Sequence, residues 1–168
     1  SMSGAYRSIG INRNDFMSLI QMRPEGGTAY GTLEWVAYAS NAFNTMVPFY
    51  ADVDETPEYL ANTTGKVSTG NFYWTSRMIA AMADASYGKS LFHVEHYQEN
   101  VLAKSHALIN QYDALLADEK DPEKQMELKR KANRKVAEMV QKEASATLKK
   151  VLYELSNQMK NSYARSDV

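Results

Sequence analysis

Two apolar runs, Leu33–Ala39 and Thr45–Tyr50, enclose a short polar centre of Ser40, Asn41, Ala42, Phe43 and Asn44. Both runs are rich in aromatic and β-branched residues, which suit a pleated surface. Their near-continuous apolarity predicts strands buried on both faces. Upstream, the apolar patches Ile9–Ile11 and Phe16–Met22 flank Asn12-Arg13-Asn14-Asp15, whose residues have turn chemistry, and the segment predicts two further strands. Phe16, Leu19 and Ile20 would also suit a helical turn, so periodicity alone leaves the second patch ambiguous. Pro24-Glu25-Gly26-Gly27 predicts a turn, because proline cannot donate to a ladder and glycine is costly to order. It lacks the glycine spacing and lysine of a phosphate-cradling loop.

Beyond Asn71 the period changes. Phe72, Trp74, Met78, Ile79, Met82 and Ala85 recur at three and four, which predicts an amphipathic helix over about 71–87. A second helix, about 90–118, would bury Leu91, Val94, Leu102, Leu108, Ile109, Tyr112 and Leu116. Asp121-Pro122-Glu123 opens a third, about 122–162, with Asp as N-cap and Pro in the first position. Its apolar line is Val136, Met139 or Val140, Leu148, Val151 or Leu152, Leu155 and Met159, over a length of about 60 Å. Helices this long need an apolar partner, so the second and third should pair as an antiparallel hairpin. The fold class is therefore α+β: a strand-rich part over 6–70, then a helical part over 71–168, with 1–5 set aside as a tag or disordered start.

Composition narrows the function. The formal net charge of −1 and pI near 6.3 give no electrostatic reason to expect nucleic acid or an anionic membrane. No apolar run is long enough to span a bilayer, and no signal peptide is expected. The 168 residues include no cysteine, which excludes a disulfide framework, a thiolate metal site and a cysteine nucleophile within this chain. A cysteine-free chain also fits the cytoplasmic location we expect. The acidic group Asp52, Asp54, Glu55 and Glu58 lacks the glycine and glutamate of a calcium loop and reads as a solvated loop, with a short helix near Thr56-Pro57-Glu58. Asn62-Thr63-Thr64 matches a glycosylation sequon, without meaning in the cytosol. The basic run Lys124–Lys142 is interspersed with Glu127 and Glu138 and reads as a solvated helix face. His93, His96 and Glu99 stand at three-residue steps, which is not a zinc-helix motif, and His106 lies too far along to join them. No Ser-His-Asp arrangement can be argued, since nothing holds three such residues together.

The blocks Leu33-Glu34-Trp35-Val36-Ala37-Tyr38, Ser40-Asn41-Ala42-Phe43 and Val47-Pro48-Phe49-Tyr50 resemble the C-terminal region of a family of cysteine-nucleophile dipeptidases, of the dipeptidase A type. Arg7-Ser8-Ile9-Gly10, Ser18–Pro24, Thr56–Leu60 and Asn71–Arg77 fit the same family in order and spacing. The resemblance implies an N-terminal-nucleophile hydrolase with a four-layer αββα sandwich, to which the strand-rich part would contribute central strands. It implies a nucleophilic cysteine at the first residue of the mature enzyme, with its own α-amino group as base. That cysteine would lie outside this chain. The residues left to this chain are then substrate contacts. Asn41 and Asn44 carry amides able to donate to a peptide oxygen, Tyr50 could line a pocket, and Arg77 could hold a carboxylate through its planar fork. The implied partners are the missing N-terminal part of the same polypeptide and a dipeptide substrate, and the strand faces that its absence would uncover predict association with a second copy of the chain. No cofactor, nucleic acid or membrane is implied. Two other readings stand beside this one: a non-catalytic assembly module built on the helical hairpin, and a metal-dependent hydrolase using His93 and His96.

Overall fold

The structure is a computed structural model, and it describes residues 14–40 and 42–159. The strand expected over Ile9–Ile11 and the candidate residue Asn41 lie outside the described residues. Three strands, β1 (Phe16–Met22), β2 (Thr32–Tyr38) and β3 (Val47–Tyr50), form one antiparallel sheet in the order β1-β2-β3. Five helices accompany them: α1 (Gly27–Tyr30), α2 (Glu58–Ala61), α3 (Phe72–Ala85), α4 (Tyr87–Asp118) and α5 (Pro122–Ser156). The architecture is α+β, a small sheet followed by long helices. Among the described residues no helix is long and apolar enough to cross a membrane.

The sheet's register decides which backbone groups face outward. Ala39 N–H donates to Asp15 O at 2.8 Å and Arg23 N–H to Gly31 O at 2.6 Å, so the odd-numbered residues of β1 bond to β2. Phe16, Ser18, Ile20 and Met22 turn their N–H and C=O groups the other way. On the far side, Ala51 N–H donates to Thr32 O, which leaves Tyr50 and Pro48 facing away from β2. The missing N–H of Pro48 therefore costs no ladder bond. Tyr50 meets α5 instead: its N–H donates to Asn133 Oδ1 at 2.8 Å, and Asn133 Nδ2 donates to Tyr50 O at 3.0 Å. A side-chain amide thus takes the place of the next strand and closes that edge.

Burial follows the same asymmetry. All four residues of β3 are buried, as the apolar run predicts, whereas β1 is exposed along nearly its whole length. Val36, Val47 and Phe49 join Tyr59, Phe72, Ile79, Tyr97, Val101, Val136 and Val140 in the main core, while Leu33 and Tyr50 pack with Ile109, Tyr112, Leu116 and Ala132. The helices thus wrap the β3 edge.

Caps set the helix starts. Asn71 Oδ1 accepts from Trp74 N–H at 2.9 Å and starts α3, and Asp121 caps α5 ahead of Pro122. Helices α4 and α5 run antiparallel, with His93 opposite Glu154 and Lys104 opposite Glu143. The expected hairpin is present, but its seam differs from the apolar line read along the chain. In α4 the buried stripe is Ser90, Val94, Tyr97, Val101, Ser105, Ile109, Tyr112 and Leu116, and in α5 it runs through Ala132, Val136, Ala137, Val140, Ala144, Thr147 and Val151. Leu102 and Met159, expected inside, are exposed, and of the alternatives Val151 or Leu152 it is Val151 that is buried. Small residues such as Ser90, Ser105, Ala132, Ala137 and Ala144 thus share the seam with large ones such as Tyr97, Ile109, Tyr112 and Leu116. Helix α5 ends at Ser156, short of the expected 162, and spans about 52 Å at 1.5 Å per residue. The second helix begins at Tyr87, earlier than expected.

Two further expectations are corrected. Pro24–Gly26 is a 3₁₀ turn that runs into α1, because proline presets the helical φ at the first position. A Cβ on Gly31 would meet Gly27 O at 2.1 Å, so only glycine allows this compact return into β2. The acidic loop after β3 is not merely solvated. Asp52 pairs with the buried Lys129 at 2.5 Å, Asp54 takes both ends of the Arg130 fork at 2.7 and 2.6 Å, and Glu55 meets Arg134 at 2.5 Å. Part of the basic face expected to be solvated therefore clasps this loop.

Candidate functional site

At the turn end of the sheet, Asn14, Asp15, Ala39, Ser40, Arg77, Ala80 and Ala81 bound a cleft of about 390 Å³. The chain leaves β2 through Ala39 at φ 61°, a left-handed conformation that costs a non-glycine residue about 1–2 kcal/mol. Such strain persists where its surroundings over-determine it, and it gathers at functional sites. Here Asp15 O holds the Ala39 N–H, Ser40 O accepts from Phe43 N–H at 3.1 Å, and the Asn44 amide donates to Ser40 O at 2.9 Å and to Tyr38 O. Asn44 is 4% exposed, so its amide nitrogen serves the turn. Its Oδ1 has no hydrogen-bond partner among the described residues.

Arg77 reaches the cleft from α3. Its Nη1 donates to Asp15 Oδ1 at 2.6 Å and lies 3.3 Å from the Tyr73 hydroxyl, and its guanidinium stands 5.8 Å from the centre of the Tyr73 ring. Both members of the Arg77–Asp15 pair are well exposed, so the bond contributes about 0–1 kcal/mol to stability. Among the described residues only one end of the planar fork is engaged, and Ala80 and Ala81 line the cleft beside it. The fork can therefore take a second carboxylate.

Of the four candidate residues, Arg77 and Asn44 fall at this end of the sheet. Tyr50 falls at the other, about 20 Å away along β2 at 3.3 Å per residue. Its hydroxyl is buried and donates to Asp113 Oδ1 at 2.7 Å. Burial first, and then the Asp113 carboxylate, push its pKa well above the ordinary tyrosine value. Asp113 also accepts from Arg23 at 2.5 and 3.1 Å, and Arg23 in turn donates to Tyr30 O. This Arg23–Asp113–Tyr50 network ties the end of β1 to α4 and β3. Sequence reasoning passed over it, although a carboxylate beside the apolar stripe of a helix was a usable signal.

The histidines are engaged separately. His93 Nε2 lies 3.3 Å from Glu154 Oε1, His96 packs edge-on to Phe92 at 4.4 Å, and His106 stands 5.7 Å from Trp35. Among the described residues no three His, Asp or Glu side chains gather closely enough to hold a metal ion.

This arrangement, an α+β unit with a strained turn facing an arginine, occurs in a chain whose residues 2–100 match the model of peptidase family C69. Probable dipeptidase A of Streptococcus pyogenes serotype M18 (strain MGAS8232) is 41% identical over 164 residues, covering 96% of this chain and 33% of that protein. A dipeptidase of Bifidobacterium longum (strain NCC 2705) is 34% identical over 200 residues, covering 96% of this chain and 37% of its own length. Probable dipeptidase B of Lactococcus lactis subsp. lactis (strain IL1403) is 32% identical over 108 residues, or 64% of this chain and 23% of that protein. The chain belongs to peptidase family C69. It spans between about a quarter and a third of the length of the curated relatives it matches.

Proposed function

We propose that this chain is the C-terminal part of a dipeptidase, and that it forms a wall of the substrate site while the nucleophile lies elsewhere on the longer polypeptide. The observation that carries this reading is the half-engaged Arg77 fork beside the strained Ala39 turn. A dipeptide ends in a carboxylate close to its scissile bond, and a guanidinium is the side chain best shaped to orient it. Asp15 holds Arg77 in place at the mouth of the cleft. Asn41 is assigned to the peptide oxygen through the chemistry of its amide, and Tyr50 acts at a distance by locking β3.

Peptide hydrolysis by such an enzyme uses a cysteine thiolate that this chain does not contain. Sulfur bonds to the peptide carbonyl carbon, the C–N bond breaks, and the amine leaves with the proton taken from the thiol. Water then releases the acyl group and restores the thiol. The N-terminal-nucleophile mechanism, the αββα sandwich, a cytoplasmic setting and an oligomeric whole enzyme belong to the same reading. The first two follow from the resemblance of the strand-rich blocks, and the cysteine-free composition fits the cytoplasmic setting alone.

The test is dipeptide hydrolysis by this chain alone, by the complete polypeptide, and by the complete polypeptide carrying Arg77→Ala or Arg77→Lys. We expect activity only in the complete polypeptide. Arg77→Ala should raise KM for dipeptides about 10–100-fold, the loss of a charge-assisted bond worth about 1.5–3 kcal/mol, and leave carboxamide-blocked substrates unaffected. An unchanged KM for both substrates would overturn the assignment. Activity from this chain alone would overturn the external nucleophile.

A second reading, a non-catalytic assembly module, draws on the bare surface of β1. An inactive complete polypeptide would favour it.

A further inference from the structure

The turn between β2 and β3, which borders the Arg77 cleft through Ser40, is also held by helix α4. Within the turn, the Asn44 amide and the Phe43 N–H close on Ser40 O. Two further carbonyls are met by a single side chain from α4. Gln98 Nε2 donates to Asn44 O at 2.8 Å and to Ala42 O at 3.3 Å. An amide nitrogen carries two N–H groups, and both are used on the turn. Gln98 follows the buried Tyr97 and stands one helical turn after the buried Val94, so it lies at the border of the α4 stripe with its stem half-buried. Phe43 provides a second hold. Its ring meets Tyr87, at the start of α4, edge-on at 6.2 Å, and it packs against Ala83, Val94 and Val151. Ala39, just before this turn, keeps its left-handed φ of 61° because its surroundings impose it. Part of that constraint is therefore supplied from α4, 54 residues beyond Asn44.

We infer that Gln98 is a positioning residue: it holds the turn in the conformation that borders the Arg77 cleft, and so sets how the turn meets the peptide bond of a substrate. This rests on the reading of that cleft as a wall of a dipeptidase site. Asn41, assigned to the peptide oxygen, is joined by peptide bonds to Ser40 and Ala42, and the carbonyls of these two are held by Asn44 and Gln98. The turn and Arg77 then act on different parts of the reaction. Arg77 faces a carboxylate whose charge is the same before and during hydrolysis, so its contribution is uniform binding and registers in KM. The peptide oxygen gains charge only as the transition state forms, so a misplaced donor beside it registers in kcat. Gln98 touches no substrate and acts through the turn alone.

Gln98→Ala, Gln98→Glu and Gln98→Lys, each in the complete polypeptide, test this. Glutamine and its three replacements are all good helix formers, so α4 itself stays intact. Alanine removes both bonds, glutamate keeps the shape but sets acceptors against acceptors, and lysine restores a donor. Gln98→Ala and Gln98→Glu should lower kcat for dipeptides about 10–100-fold with KM changed by less than about threefold, and Gln98→Lys should recover most of the loss. Residue-resolved amide exchange gives a readout that needs no activity. The Phe43 N–H, which donates to Ser40 O, should exchange at least about tenfold faster in Gln98→Ala and near the parental rate in Gln98→Lys. Parental kcat in Gln98→Ala would overturn the inference, and a raised KM in Arg77→Ala would leave the peptidase reading standing. Equal losses in all three variants, or KM rising with every loss of kcat, would also overturn it, since a general loosening of the fold does not distinguish a donor from an acceptor. If the parent polypeptide hydrolyses no dipeptide, the peptidase reading falls and the Phe43 amide decides alone. Faster exchange in Gln98→Ala that lysine reverses then upholds the hold on the turn, and parental exchange overturns it.

Discussion

The two edges of this sheet are built from similar apolar strands, yet one is sealed and the other open. Strand β3 is buried on every residue and shielded by α5, whose Asn133 hydrogen-bonds Tyr50 as a neighbouring strand would. Strand β1 has the same kind of sequence and, among the described residues, no such cover. Strand-forming residues therefore specify pairing, but not what finishes the sheet. That depends on side chains supplied from far along the chain, at a separation of 83 residues for Asn133 and Tyr50.

The largest effect expected on the sealed side comes from Asp113→Ala. It leaves the Arg23 guanidinium, only 12% exposed, without its carboxylate and removes the partner of the Tyr50 hydroxyl. Breaking a mostly buried pair from one side costs about 3–5 kcal/mol, which should lower the melting temperature by roughly 10 °C at this chain length. Thermal unfolding followed by circular dichroism reads it directly. A shift of only a degree or two would mean that the network is incidental to the closed edge.

Asn133→Ala comes next. It strands the N–H and C=O of Tyr50 in the core, at a cost of about 2–3 kcal/mol. Asn133→Asp keeps the acceptor, loses the donor and adds a buried charge, so it should be at least as damaging. If both variants melt with the parent, water must reach this edge and the contrast between the two sides collapses.

The contrast also explains what could be read from the sequence. β2 and β3 are legible because aromatic and β-branched residues crowd two runs with a polar turn between them, and Asn44 does close that turn. The starts of α3 and α5 are legible because Asn71 and Asp121-Pro122 state their caps locally. The hairpin seam is harder. A search for large apolar residues finds Val94, Ile109, Tyr112, Leu116, Val136, Val140 and Val151, which are buried, but also Leu102, which is exposed, and it passes over the buried Ser90, Ser105, Ala132, Ala137, Ala144 and Thr147. Lys129 is harder still, since a lysine within a mixed-charge run gives no sign that Asp52 and Thr28 O will hold it inside. Of the site, Arg77 and Asn44 are found at the turn end, but the placement of Tyr50 needed Asp113.

On the open side, substitutions that would unfold a core should do little. Ile20→Thr and Met22→Thr remove large apolar side chains from a solvent-facing strand, so the chain's own stability should change by no more than about 0.5 kcal/mol. Denaturant unfolding measures this. A loss of about 2 kcal/mol from either would mean that β1 is already covered in this chain.

The smallest effect is electrostatic and belongs to the outer layer of the sealed side, where the loop after β3 is clasped by α5. Hydrogen bonds from Arg130 hold the Asp54 carboxyl below its usual range, and bonds from Arg134 and Arg130 do the same for Glu127. A carboxyl depressed in the folded state adds stability at pH values above its unfolded pKa and loses that contribution as pH falls through its folded value. Melting temperature should therefore decline below about pH 4, and Asp54→Asn combined with Glu127→Gln should flatten that decline. Both carboxyls lie open to water, so added salt should shrink the difference between parent and variant. A difference that persists in high salt would show that the clasp is shielded from solvent, and would make the sealed edge thicker than its hydrogen bonds alone require.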